Sequence, residues 1–261
     1  MKMSRWHVVT VLVVLSLLLM PLTASGCTDS PVTNTFKYSD FTRLDIQNAF
    51  NAQVIQSATY SITVTSSKAL VDYVSVVKTG DTLTIKLQPN HPFTDFVLMR
   101  KTLKVKIMMP TLNGITLSGA SICVIKGFKS ANTLSLDVSG ASTMTLDNIK
   151  TGSADFIVSG ASKYSGMVTV SDLKFDVSGA SNVDLDGESE DLELAASGAS
   201  RVNMQQFVSQ TATVKLEGAS QVTIDARKRI GGSLTGASCL YFLNNPKVEV
   251  EVQGASTVKH K

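Results

Sequence analysis

The sequence predicts an all-β chain coiled as a right-handed parallel β-helix, and three observations predict it. The tripeptide Gly-Ala-Ser occurs eight times, at Gly119, Gly140, Gly160, Gly179, Gly198, Gly218, Gly236 and Gly254. A fixed period of about twenty residues marks a solenoid, whose units are too small to bury their own apolar face and must stack on one another. Apolar residues alternate with polar ones on both sides of the tripeptide. Four after Gly stand Cys123, Met144, Tyr164, Val183, Val202, Val222, Leu240 and Val258, and two before stand Leu117, Val138, Val158, Val177, Ala196, Leu216, Leu234 and Val252. That is the period of a half-buried strand. Finally, no i, i+3, i+4 stripe accompanies them, and Val, Ile, Thr and Ser suit strands better than helices. Parallel connections are right-handed by the general rule, and rungs at about 4.8 Å stack the seven intervals into a rod of about 34 Å.

Taken in order, residues 1–26 read as a targeting segment. Lys2 and Arg5 form a positive start, Val8 to Met20 an apolar stretch of thirteen residues, and Ala24-Ser25-Gly26 precede Cys27. Thirteen residues are too few for a comfortable membrane span. The end of the segment resembles a bacterial lipobox, with Ala24 where Leu is commoner, so Cys27 is the expected lipidation site and mature N-terminus. Residues 27–35, with Pro31, read as a tether. Removing Lys2 and Arg5 lowers the formal charge from +3 to +1, a balance that implies no nucleic-acid partner.

Residues 36–112 read as an irregular β region. Runs at Phe41 to Ile46, Ala52 to Ile55, Ser61 to Thr65, Tyr73 to Val77, Thr82 to Leu87 and Leu103 to Met109 are strand candidates, and Lys78-Thr79-Gly80-Asp81 is a turn. Their spacing near ten residues fits two strands per coil of one solenoid; a separate sandwich cap is the alternative. Gln88 to Asp95 is a loop. Residues 113–261 carry the regular repeats. At each corner Gly permits positive φ, Ala keeps stacked backbones close, and Ser can bond polar groups that a bend leaves unpaired. A ladder required by stacking explains these serines better than a binding role.

The run Met109-Pro110-Thr111-Leu112, then Ile115 to Ser121 and the serial Ser-Gly-Ala-Ser copies, resembles the bacterial family named putative auto-transporter adhesin, head GIN domain. The resemblance covers about residues 41–261. It implies a secreted or lipid-anchored envelope protein of right-handed β-helical fold, carries the label of adhesion, and brings no catalytic motif.

No chemistry assembles from the sequence itself. Cys123 falls at an inward position and Cys239 at an outward one, six rungs apart, so no disulfide is expected. His7 leaves with the targeting segment, and His91 and His260 fall at opposite ends. A polysaccharide-lyase-like β-helix would gather Asp groups on an outward face, but Asp137 and Asp176 are separated by a rung carrying Ile157. The acidic run Asp184, Asp186, Glu188, Glu190, Asp191 and Glu193 is the weak Ca²⁺ candidate, on the premise that a turn after Asp186 folds Glu188 or Glu190 back. A solvated turn facing Arg227-Lys228-Arg229 is the plainer reading. A Ser ladder of ice-binding type begins at Ser118 and fails at Glu217. No cofactor is implied.

The expected function is therefore a non-catalytic, lipid-anchored, extracytoplasmic structural or adhesive module with a glycan or protein ligand. The alternative is a carbohydrate-binding or lyase-like β-helix. Rod ends are open strand edges, and Lys259-His260-Lys261 is expected to discourage association at one of them.

Overall fold

The computed structural model describes residues 30–91 and 103–261. Its strands are β1 (Pro31–Phe36), β2 (Arg43–Ile46), β3 (Asn51–Gln56), β4 (Ser61–Ser67), β5 (Val74–Thr79), β6 (Thr82–Leu87), β7 (Leu103–Met109), β8 (Gly114–Leu117), β9 (Ile122–Lys126) and β10 (Thr133–Val138). They continue as β11 (Thr143–Lys150), β12 (Ser153–Val158), β13 (Lys163–Thr169), β14 (Asp172–Val177), β15 (Asn182–Ala196), β16 (Arg201–Leu216), β17 (Gln221–Leu234), β18 (Cys239–Leu243), β19 (Lys247–Val252) and β20 (Thr257–His260). Among the described residues there is no α-helix. The chain is a β-solenoid.

Each coil sends one strand into a Gly-Ala-Ser corner and one out of it. The entering strands stack in parallel as β6, β2, β8, β10, β12, β14, the second halves of β15, β16 and β17, then β19. The leaving strands stack as β7, β3, β9, β11, β13, the first halves of β15, β16 and β17, then β18 and β20. Alternation puts the even offsets inside: Leu117, Val138, Cys123 and Met144 are fully buried. One apolar core runs continuously from Phe41 to Leu240. The rings of Phe156, Tyr164 and Phe175 meet in it at centroid distances of 5.3 to 5.7 Å.

The corner is a bend whose three residues do different work. Its glycines take φ of 71 to 79°, and a Cβ on Gly198 would stand 2.5 Å from the Gly179 carbonyl oxygen. The alanine N–H donates to the glycine carbonyl one coil back, as from Ala199 to Gly179 at 2.8 Å. The serine turns inward and is buried in every copy. In Ser181, Ser200, Ser220 and Ser238 its hydroxyl donates to the carbonyl three residues earlier, as from Ser200 to Ser197 at 2.8 Å. In the first coil Asn48 and Ala49, at φ of 61 and 62°, hold the corner without glycine.

A second bend lies where the register shifts, between Leu146 and Ile149, Asp184 and Gly187, and Met204 and Val208. From β15 onward the strand continues through it. In β15 glycine is required there, because a Cβ on Gly187 would lie 1.8 Å from the Val168 carbonyl oxygen; β16 passes the matching position with Phe207.

The N-terminal end departs from the expected plan in two ways. Residues 31–35, read as tether, belong to β1, which pairs antiparallel with β4; Thr33 and Thr65 join across it at 2.9 Å. β-branched Val32, Thr33 and Thr35 suit that strand. The coil of β2 and β3 also lies between the later β6–β7 layer and the β8–β9 coil. β4 adds antiparallel to β7 and β5 to β6 through the Gly80 turn. These antiparallel strands finish the end. The targeting segment, Cys27 and Pro92 to Asp95 of the loop lie outside the described residues.

Candidate functional site

The outward side chains of β14, β15 and β16 form a row of shallow hollows. Register places Asp172 beside Asp191 and Thr211, Lys174 beside Glu193 and Thr213, and Asp176 beside Ala195 and Lys215. A hollow of about 650 Å³ is lined by Glu188, Glu190, Asp191, Thr211 and Lys228 among others. A second of about 540 Å³ continues from Asp191 and Thr211 to Asp172, Lys174, Glu193 and Thr213. A third, of about 170 Å³, lies further along the same strands at Asp176, Ser178, Lys215 and Glu217. Together they make a shallow trough along the strand direction, bearing carboxylates, hydroxyls and lysines, with no aromatic ring on its lining.

Its charges are partly tied. Thr211 donates to Asp191, and Lys215 meets Glu217 at 2.9 Å. That hydrogen bond and the Glu217 charge raise the Lys215 ammonium above its ordinary value. Lys228 lines the first hollow with the acidic run. Its neighbours turn elsewhere: Arg227 lies 3.8 Å from Asp225, and Arg229 bonds Glu249 at 2.6 Å.

The Ca²⁺ premise fails on geometry. β15 holds no tight turn between Asn182 and Ala196; it bends with a register shift between Asp184 and Gly187, so Asp184 lies before the bend and Glu188 and Glu190 beyond it, with no fold-back onto Asp184 and Asp186. Asp184 already accepts from Asn203 Nδ2 at 2.7 Å. Among the described residues no three His, Cys, Asp or Glu side chains are placed to hold a metal ion. Asp137, Ile157 and Asp176 share one register line, with the Ile rung between the two carboxylates.

The remaining groups with chemistry are apart from the trough. Cys123 is buried and free, its thiol pushed up to about 12 by desolvation. Cys239 is free and partly exposed, accepting from Thr257 Oγ1 at 3.1 Å. Burial also holds the Tyr164 hydroxyl well above its ordinary value, and it has no hydrogen-bond partner. His91 follows β6 at one end of the solenoid, and His260 sits on β20 at the other, its Nε2 2.6 Å from the Asn244 carbonyl oxygen. Sequence reasoning followed the column three before Gly, which carries only the Asp176 and Lys215 end of the trough, and missed the columns five and seven before it, which build the second hollow.

A family model described as "Putative auto-transporter adhesin, head GIN domain" matches residues 40–246. The chain belongs to this family. Solved structures similar to it include a putative adhesin from Parabacteroides merdae, 18% identical over 90% of this chain and 97% of that one, with a TM-score of 0.82. A putative adhesin from Parabacteroides distasonis is 16% identical over 90% and 98%, at 0.79. A putative lipid binding protein from the same organism is 13% identical over 90% and 98%, at 0.74. At these identities the likeness is one of fold. No curated protein matches the chain. Among the described residues no helix is long and apolar enough to cross a membrane.

Proposed function

We propose that this head GIN domain protein is a non-catalytic, extracytoplasmic surface module, anchored by lipid at Cys27, that works as a structural or adhesive rod. The observation that carries the reading is the dispersal of its outward groups. The trough spreads carboxylates, hydroxyls and lysines over successive rungs instead of converging a base, a nucleophile and an oxyanion site on one point. A stacked, single-core rod suits contact spread along a face. The family's description and the adhesin-like neighbours agree with it.

Two measurements test the parts separately. Cys27→Ser is expected to release the chain from membranes; membrane fractionation unchanged by the substitution overturns the anchor. The detergent-solubilised chain on a glycan array, with and without Ca²⁺, tests the ligand. Binding without turnover, abolished by charge reversal at Asp191 and Glu193, supports adhesion through the trough. Cleaved glycan products would replace the module with a carbohydrate-cleaving β-helix.

A further inference from the structure

The two ends of the solenoid are finished differently. At the N-terminal end, antiparallel β1, β4 and β5 are added, and Phe36, Tyr38, Tyr73 and Val74 pack against the core. On the coil of β19 and β20 no further strand is paired among the described residues. Its core-facing Val248 and Val252 are 39% and 47% exposed, and Val250 and Val258 are half-buried. Gln253, Ala255 and Thr257 donate their N–H groups back to Leu234, Gly236 and Ser238. Strand alternation therefore turns the backbone groups of Val250, Val252, Val258 and His260 outward, unpaired.

We infer that this end face docks a second copy of the chain, end to end, about a two-fold axis through the Gly254-Ala255 corner. β19 runs into that corner and β20 runs out of it. An axis bisecting them lays β19 of one copy antiparallel on β20 of the other, twice over, in an isologous contact. With Ala255 opposite its own copy, Val252 faces Val258 and Val250 faces His260 on the core side. These four carry the outward backbone groups, so the pairing satisfies them. On the solvent side Glu251 then faces Lys259, and Glu249, which Arg229 and Lys247 already hold at 2.6 Å each, faces Lys261, whose ammonium must leave Gln205 to meet it.

Charge selects this arrangement over its rivals. A slip of two residues one way sets Lys247 against Lys261, and the other way leaves a single Glu–Lys contact. Pairing β19 with β19 in the register that matches Val250 to itself sets Glu249 against Glu251. Like charges directly opposite are unfavourable and opposite charges favourable. The basic tail Lys259-His260-Lys261, expected from sequence to discourage association, is half of a complementary pair once β19 is seen beside it. It repels generic strand edges and accepts its own two-fold mate.

One coil is a small contact, so the dimer is weak and transient in solution. On surfaces carrying many copies it is strengthened by multivalency. Resting on the proposed anchored adhesive role, the contact becomes tip to tip: β1, the first described strand, lies at the opposite end of the solenoid, so dimers of chains anchored ahead of it join two membranes.

Sedimentation equilibrium of the full chain in density-matched detergent, carried to high concentration, tests the contact. The wild type is expected to show a concentration-dependent dimer. Glu251→Lys and Lys259→Glu each turn two attractive contacts repulsive and weaken it by about tenfold or more. An equal mixture of the two variants, and the double variant alone, recover it. Both side chains are exposed, so unchanged thermal melting confirms that the variants fold. A wild type that stays monomeric, or single variants that dimerise like it, overturns the inference. Vesicles bearing the chain separate it from the adhesive reading. Clustering indifferent to the reversals removes the end contact and leaves adhesion to another partner; solution dimers without clustering keep the contact and remove the adhesive role.

Discussion

At the scale of the residue, the corner glycines and the buried thiol make opposite demands on the same stack. Gly198 combines a φ of 73° with a Cβ position 2.5 Å from a backbone oxygen that the Ala199 N–H already holds. Relief would require moving the neighbouring coil. Gly80 has a similar φ of 59° with open space around it, so the pair separates left-handed strain from stacking. Gly80→Ala is expected to cost about 1–2 kcal/mol, and Gly198→Ala at least about 3 kcal/mol with the overpacking added. Chemical denaturation checks this; equal losses would show that the corner tolerates a methyl group. Cys123 tests the interior. Desolvation lifts its thiol from 9.0 to about 12, so the folded chain keeps the proton that the unfolded chain loses. Its stabilisation is complete below pH 9 and declines as pH rises from there towards 12. Native Cys123 should resist alkylation at pH 8 to 9 while Cys239 reacts, with peptide mapping as the readout. Rapid labelling of Cys123 would mean that the core opens.

At the scale of the element, alternation decides almost everything within a coil and very little between coils. Val138 in β10 is fully enclosed, with β8 on one side and β12 on the other. Val138→Asp places an unpaired charge inside the apolar stack, and is expected to cost more than about 4 kcal/mol. A melting temperature within a few degrees of the wild type would contradict the inward placement. The repeat made this position readable from sequence, because Val138, Val158 and Val177 recur at one offset from Gly. The same period-two logic found β6 and β7 at their full lengths. It could not say that β2 and β3 sit beneath them, since alternation names the buried face and not the neighbouring strand. The tether reading of residues 31–35 failed because Pro31 opens an edge strand, where its missing N–H costs nothing. The acidic run failed for a different reason. A tight turn was expected after Asp186, yet the strand continues through a shallow bend at Gly187, where a Cβ would meet the Val168 carbonyl oxygen, and the carboxylates are spread out instead of gathered.

At the scale of the whole molecule, a solenoid is close to a one-dimensional stack, in which each coil draws its stability from the two beside it. Among the described residues the coil of β19 and β20 has a neighbour on one side, whereas β12 to β16 have neighbours on both, and the N-terminal coils gain β1, β4 and β5 as cover. Protection against amide hydrogen exchange should therefore be asymmetric: highest over β12 to β16, substantial at the covered end, and lowest at β19 and β20. Within the last coil, Val252 and Val258 should exchange before Gln253 and Thr257, whose N–H groups are held by Leu234 and Ser238. Mass-spectrometric exchange on the full chain reads the gradient, and residue-level NMR the alternation. Repeating it at rising protein concentration adds a sharper condition, because an end-to-end contact would slow exchange at β19 and β20 and nowhere else. Uniform protection along the rod would show that the stack unfolds as one unit. Concentration-dependent slowing over the β14 to β16 trough would place self-association on the lateral face instead of the tip.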